Sequence, residues 1–223
     1  MKTVIIVAGG RGKRMGNDIP KQFLRLGGTP VLLLTMLRFH DYDNNIKIIL
    51  ALPKNEIKTW ETIKSQIINV PPHIVVEGGQ ERFFSVKNSL AYVEKGETVA
   101  IHDGVRPFVS METISRCFDK VEQCGAVIPV IAMTESIRYF ENKDKSIAVS
   151  REKYRIVQTP QVFHSDILLS AYEQSYSENF TDDASVVETS GYTVSSVEGN
   201  SENIKITTPL DMEIAKILIN YNF

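Results

Sequence analysis

The sequence predicts an α/β fold, a mostly parallel sheet with helices on both faces. Short runs rich in Val and Ile recur along the chain, separated by segments with helical spacing of apolar residues. The first run passes directly into glycines and cations in "VIIVAGGRGKRMG", as a strand does where it leaves the carboxyl edge of an open sheet beside a ligand. With 223 residues, 43% hydrophobic and 23% charged, the chain can also bury the core that such a sheet needs.

The expected strands cover residues 4–7, 46–52, 74–76, 98–101, 126–131 and 193–197. Between them lie segments with helical spacing, of which residues 31–39 are apolar at almost every position. Ile57, Trp60, Ile63 and Ile67 form one helical stripe, and Met111, Ile114, Phe118 and Val121 form another. The last helix carries its own start signal, with Thr208 as cap, Pro209 in the first turn and Asp211 completing a capping-box pattern. Its Leu210, Ile214, Ile217 and Leu218 are expected to face inward, and it should end near Asn220. Residues 136–140 and 146–150 read as short strands around the polar turn "ENKDK", a β-hairpin that projects from the core and is either an edge for a second subunit or a plain surface excursion. No repeat, low-complexity tract or linker divides the sequence, so residues 1–223 read as one domain with a β-arm at about 133–157.

A formal net charge of -2 argues against a general nucleic-acid binder, so any anion site must be a local cluster of Lys and Arg. No apolar run approaches the ~18 residues of a membrane span, and residues 4–8 are too few for the apolar part of a signal peptide. A cytoplasmic location is the expectation. Cys117 and Cys124, seven residues apart on one expected helix, are separated by roughly 10 Å along its axis, too far for a disulfide. The four histidines show no zinc-ligand spacing.

The glycine-rich stretch is the main functional signal. Gly9, Gly10, Gly12 and Gly16 let backbone N–H groups approach phosphate oxygens, while Arg11, Lys13 and Arg14 add charge, a chemistry suited to a triphosphate. It is not a P-loop, because Val7 occupies the first glycine position before Gly12-Lys13 and Arg14 replaces the hydroxyl residue. It is not a dinucleotide fingerprint either, because Met15 stands at the third glycine. Pro20 then stiffens the backbone next to Lys21.

"AGGRGKRMG" followed by "PKQF" resembles the signature of sugar-phosphate nucleotidyltransferases, with PKQ most similar to the cytidylyltransferases. "EGGQERFFSV", "HDGVRPF", "VSREKYRIVQTPQVF", "FTDDASVVE" and "NIKITTP" resemble, in order, successive blocks of the 2-C-methyl-D-erythritol 4-phosphate cytidylyltransferase family. That resemblance implies a Rossmann-like sheet, a homodimer whose hairpin is the dimerisation arm, Mg2+, and transfer of CMP from CTP to a sugar-alcohol phosphate in non-mevalonate isoprenoid biosynthesis.

It also implies roles for individual residues. Arg14, Lys21 and Lys205 are catalytic, acting on the triphosphate and the α-phosphate, and Ala8, Gly9, Gly10 and Gly12 wrap the phosphates through their backbone. Gly79, Gln80 and Ser85 read the base, with Arg82 bracing their loop, and Asp103 meets the nucleotide and its magnesium. Arg106 binds the acceptor phosphate with Ser136 and Arg151, which the arm supplies in trans, and Thr181 and Asp182 bind the sugar hydroxyls. Gln80 stands where the family commonly has Asp and Ser136 where Thr is usual; Ala8-Gly9-Gly10 replaces Ala-Ala-Gly, a form found in ribitol 5-phosphate relatives. The alternatives are therefore a ribitol 5-phosphate cytidylyltransferase, and, from another class, a non-catalytic CTP-binding module. A molybdenum-cofactor guanylyltransferase shares the first loop but lacks the PKQ, VRP and NIKIT combination.

Overall fold

Period-two alternation in the central strands sorts their side chains onto two helix-covered faces. The computed structural model describes residues 1–9 and 19–221; Gly10, Gly12 and Arg14 lie outside them. The strands are β1 (Lys2–Val7), β2 (Arg25–Leu26), β3 (Thr29–Pro30), β4 (Lys47–Leu52), β5 (Ile74–Glu77), β6 (Thr98–Asp103), β7 (Ala126–Ala132), β8 (Ile137–Phe140), β9 (Ser146–Val149), β10 (Arg155–Val157), β11 (Gln161–His164) and β12 (Ser195–Glu198). The helices are α1 (Val31–Tyr42), α2 (Lys54–Lys64), α3 (Arg82–Leu90), α4 (Met111–Cys124), α5 (Ser165–Ala171), α6 (Asp183–Thr189) and α7 (Pro209–Leu218).

β1 is central, parallel to β4 on one side and to β6 on the other, with Val7 opposite both Ala51 and Asp103. β5 extends the sheet beyond β4. Val4, Ile6, Ile48, Leu50 and Ala100 point to the face covered by Leu32, Met36 and Phe39 of α1, Trp60 of α2, and Ile114, Cys117 and Phe118 of α4. Ile5, Ile49, Val99 and Ile101 point the other way, onto Phe83 and Val86 of α3, Leu168 of α5 and Val186 and Val187 of α6. Burying each large aliphatic side chain is worth about 1.5–3 kcal/mol, so both helix layers are held by the sheet they cover. Both cysteines are free, with Cys117 in the core and its thiol pushed by burial up to about 12.

The parallel order is interrupted where β11 enters antiparallel between β6 and β7. β10 continues along the same flank of β7, but Val157 faces Val130 while Val162 faces Val127, so the second strand carries two extra residues. That bulge holds Gln158, Thr159 and Pro160, and no strand is legible there in the sequence because Pro160 and two polar residues break the apolar run. β12 takes the opposite flank of β7, close to its expected bounds.

Two expectations for the second half of the chain fare differently. β8 and β9 form the hairpin as read, pairing with each other in a two-stranded sheet of their own. On α7 the expected inward face is wrong: Leu210, Ile214 and Ile217 are exposed, at 68%, 39% and 61%, and Met212 and Ala215 are buried. α7 packs on Leu26, Val31, Val105, Phe108 and Ile206 beside the sheet rather than on its broad face. The small Ala215 sets a close, narrow seam, and Leu218 is only partly buried against it.

The start of α7 follows its sequence signal. Thr208 Oγ1 accepts from the Asp211 N–H, and the Asp211 carboxylate accepts from the backbone of Thr207 and Thr208 and from the Thr207 hydroxyl. Partial burial alone would raise the Asp211 carboxyl, but these donors outweigh it and hold it below its ordinary value. Stability from this group is present above the unfolded-state value and lost as pH falls through the folded one. We therefore expect Asp211→Asn to lower unfolding stability by ~1 kcal/mol at neutral pH, with the difference from wild type shrinking below about pH 3.9, as read by denaturant titrations across pH.

Candidate active site

The parallel strands β1, β4, β5 and β6 end on the same edge of the sheet, and a cavity of about 340 Å³ opens there. Its wall is built from Ala8 and Gly9 after β1, the Gly79–Gln80 turn after β5, Asp103 at the end of β6, Lys21 and Lys205. Ligands of open α/β sheets bind at this edge because connecting loops, rather than side chains of the core, supply the lining.

Asp103 organises the charge. Its Oδ2 accepts from Arg106 Nε at 2.9 Å and lies 3.1 Å from Lys205 Nζ, while its Oδ1 lies 3.9 Å from Arg82 Nε. Burial alone would raise this carboxyl, but Lys205, Arg82 and Arg106 hold it well below the usual carboxylate range. It is therefore ionised at any working pH. Arg82 in turn makes a fork onto Asp183, with Nη1 on Oδ1 and Nη2 on Oδ2, both at 2.6 Å, and the Tyr172 hydroxyl donates to the same Oδ1. Burial would lower the Arg82 guanidinium, but Asp183 keeps it firmly charged. His102, wholly buried beside Asp103, is pushed by burial down to about 4 and stays neutral.

The base block is braced from within. Ser85 Oγ accepts from the Gly79 N–H at 3.1 Å and donates to the Glu81 carbonyl, so the hydroxyl expected to read the base ties the turn to α3. A Cβ at residue 79 would lie 2.2 Å from the Phe84 Cβ, which explains the glycine there. On the opposite wall Lys21 opens a 3-10 turn, Lys21–Phe23, and the next residue, Gln22, donates from Nε2 to the Ala8 carbonyl and the Glu56 carboxylate. This fastens the PKQ turn to the end of β1.

The structure thus brings together Ala8, Gly9, Lys21, Gly79, Gln80, Ser85, Asp103 and Lys205 around one cavity. Lys205 does not lie on a strand as expected; residues 203–207 are irregular, held by the Ile206 N–H on the Val105 carbonyl. The alternation that suggested a strand survives as Ile206 inward and Lys205 toward the cavity. Arg106 lies behind Asp103 with Nη1 on the Asn203 carbonyl. Ser136 and Arg151 are exposed and do not line the cavity, and Arg151 donates to the Thr134 carbonyl of its own arm. Thr181 and Asp182 are also off the cavity: Asp182 caps α6 through Oδ1 and accepts from Gln161 through Oδ2. Sequence reasoning missed the Arg82–Asp183 fork, for which partners 101 residues apart leave no local signal.

A cationic cavity at the carboxyl edge of a mostly parallel α/β sheet, lined by Gly9 and the Gly79–Gln80 turn, is the kind of site at which open α/β proteins bind phosphorylated ligands, and comparison with known proteins makes the class a nucleotidyltransferase. The family model "IspD: 2-C-methyl-D-erythritol 4-phosphate cytidylyltransferase" matches residues 2–221. The chain belongs to this family. It is 50% identical over 218 residues to the 2-C-methyl-D-erythritol 4-phosphate cytidylyltransferase of Bacteroides fragilis, covering 98% of this chain and 99% of that protein. Among solved structures, the enzyme of the same description from Francisella tularensis superposes with a TM-score of 0.79 at 31% identity over 97% of this chain and 98% of the other. The one from Thermus thermophilus gives 0.78 at 29%, over 99% and 100%.

The Arg82–Asp183 fork generates a stability prediction. Removing Asp183 takes away the two short charged hydrogen bonds of Arg82 and leaves it the longer approach to Asp103, at a cost of ~1.5–3 kcal/mol. Asp183→Ala should lose about that much in denaturant unfolding, because Asp183 is fully buried and Arg82 would keep its charge.

Proposed function

We propose that the chain transfers CMP from CTP to 2-C-methyl-D-erythritol 4-phosphate, releasing pyrophosphate, as a cytoplasmic homodimer in non-mevalonate isoprenoid biosynthesis. The observation that carries this reading is the convergence of Lys21, Lys205 and Asp103 on the cavity of a chain of this family. An oxygen of the acceptor phosphate bonds to the α-phosphorus of CTP. The bond from that phosphorus to the oxygen bridging the β-phosphate breaks, and that oxygen leaves on pyrophosphate. Negative charge builds on oxygens around the α-phosphorus and on the leaving group, so preorganised cations and backbone donors supply the catalysis.

In this scheme Lys21 and Lys205 lie against the α-phosphate, Arg14 with Gly10 and Gly12 completes the phosphate loop begun by Ala8 and Gly9, and the Gly79–Gln80 turn meets the cytosine. Gln80 offers an amide in place of the usual carboxylate. Arg106 has Nε and Nη1 engaged on Asp103 and Asn203, and in this scheme its Nη2 would serve the acceptor phosphate. Mg2+ fits the residues present in one way. Among the described residues no group of three or more His, Cys, Asp or Glu side chains could hold a metal unaided. Mg2+ commonly takes one or two carboxylates and fills its remaining positions with phosphate oxygens and water, and in this reading Asp103 would offer Oδ1, which lies 3.9 Å from Arg82 Nε. When bound, the ion neutralises phosphate charge.

The arm supports the dimer. Tyr139, Phe140 and Ile147 are exposed on β8 and β9, an apolar surface suited to a second copy, and Ser136 and Arg151 lack a role in their own cavity. Both reach the partner's acceptor phosphate in this reading. Thr181 meets the sugar hydroxyls from the rim, beside the capping Asp182.

The test is pyrophosphate release from CTP with either acceptor, with and without magnesium. We expect Mg2+-dependent turnover that strongly prefers methylerythritol phosphate; equal turnover or a preference for ribitol 5-phosphate assigns the other substrate, and CTP binding with no turnover identifies a sensor. Lys21→Ala should lower kcat by ~10²–10³ with little change in CTP affinity, and mixing it with Arg151→Ala chains should restore activity through hybrid dimers. Verified hybrid dimers that stay inactive would rule out the shared site.

A further inference from the structure

Beneath the ion cluster lies a polar assembly whose His102, Thr159 and Asn203 do not line the cavity. His102 is fully buried, edge-on to the Phe39 ring at 4.9 Å between centroids. One ring nitrogen, Nε2, is 3.0 Å from the Arg106 carbonyl oxygen, and the other, Nδ1, is 3.0 Å from Thr159 Oγ1. A carbonyl only accepts, so Nε2 carries the hydrogen, and in the neutral ring Nδ1 is left as an acceptor. The Thr159 hydroxyl donates its one hydrogen to Nδ1 and accepts, at 3.1 Å, from the Asp103 N–H. The imidazole and the hydroxyl thus join the backbones of the two residues whose side chains form the Arg106–Asp103 ion pair. Asn203 closes the assembly, donating to the Thr159 carbonyl at 2.8 Å and accepting from Arg106 Nη1 at 2.8 Å on its own carbonyl.

A buried imidazole costs free energy unless both nitrogens are satisfied, and an aliphatic or aromatic side chain would fill this space without that cost. What the polar pair adds is direction. Thr159 comes from the bulge between β10 and β11, so the two extra residues there bring a hydroxyl onto the end of β6.

We propose that His102 and Thr159 form a clasp that fixes the Asp103 carboxylate and the Arg106 guanidinium relative to each other, making both of them positioning residues for CMP transfer. The proposal rests on the function given above. Neither residue touches substrate; both act through backbone atoms of residues that do. A misplacement of about 1 Å in such a constellation can cost ~10²-fold in rate, so the clasp has enough leverage to matter.

The decisive experiment is steady-state kinetics with CTP and methylerythritol phosphate on wild type, His102→Phe, Thr159→Val, Thr159→Ser and the double variant His102→Phe/Thr159→Val, each with an unfolding curve. Thr159→Val should lower kcat by ~10–100-fold through Asp103, and His102→Phe should also raise the acceptor KM through Arg106 more than it raises the CTP KM. The double variant should lose no more than the worse single one, because both remove the same clasp. Thr159→Ser, which keeps the hydroxyl, should stay near wild type. If His102→Phe does not fold, the Thr159 pair still decides. A folded Thr159→Val with wild-type kcat and KM overturns the clasp, as does a Thr159→Ser that loses as much as Thr159→Val. A wild-type chain with no turnover instead overturns the function, and the catalytic meaning of the clasp with it.

Discussion

The site depends on one carboxylate that must be compensated where it stands. Asp103 ends the strand beside β1, nearly buried, and a charge there is tolerable only with close partners. Its three cations come from separate parts of the chain: Arg82 from the start of α3, Arg106 from the turn after β6, and Lys205 from the irregular segment before α7. Compensating Asp103 therefore gathers the start of α3 beside the Gly79–Gln80 turn, Arg106 and Lys205 at one place. Arg82 carries the constraint further, since its fork onto Asp183 anchors α6 to the same cluster.

This arrangement also suits phosphate chemistry. Cations preassembled around a carboxylate need little reorganisation when a triphosphate arrives, because the phosphate oxygens take over part of the counter-charge that Asp103 supplies beforehand. The glycine at residue 79 and the short PKQ turn fix the two walls, one by close packing on Phe84 and the other by the Gln22 amide. The rigid shell holds the cavity's shape, and the ion cluster sets its field.

Much of this was legible in the sequence where the signal is local. Runs of Val and Ile identified the central strands, Thr208 and Asp211 announced the start of α7, and Asp103 at the end of an apolar run pointed to the carboxyl edge. The missing parts are non-local. Strands β10 and β11 hide behind Pro160, the Arg82–Asp183 fork joins residues 101 apart, and the buried face of α7 depends on which surface it meets rather than on its own apolar stripe. Ser136 and Arg151 acquire a task only if a second copy is present, which one chain cannot display. The glycine loop, the clearest signal of all, contributes Gly10, Gly12 and Arg14 from outside the described residues.

The central claim is that Asp103 holds the phosphate-binding cations in place until nucleotide relieves it. Unfolding temperatures of wild type and Asp103→Asn, measured in metal-free buffer with and without CTP, test it directly. The account predicts that the variant unfolds at a lower temperature than wild type without nucleotide, and that CTP raises the variant's unfolding temperature by more than it raises that of wild type. A variant as stable as wild type without CTP, or one whose CTP shift is no larger, would contradict it.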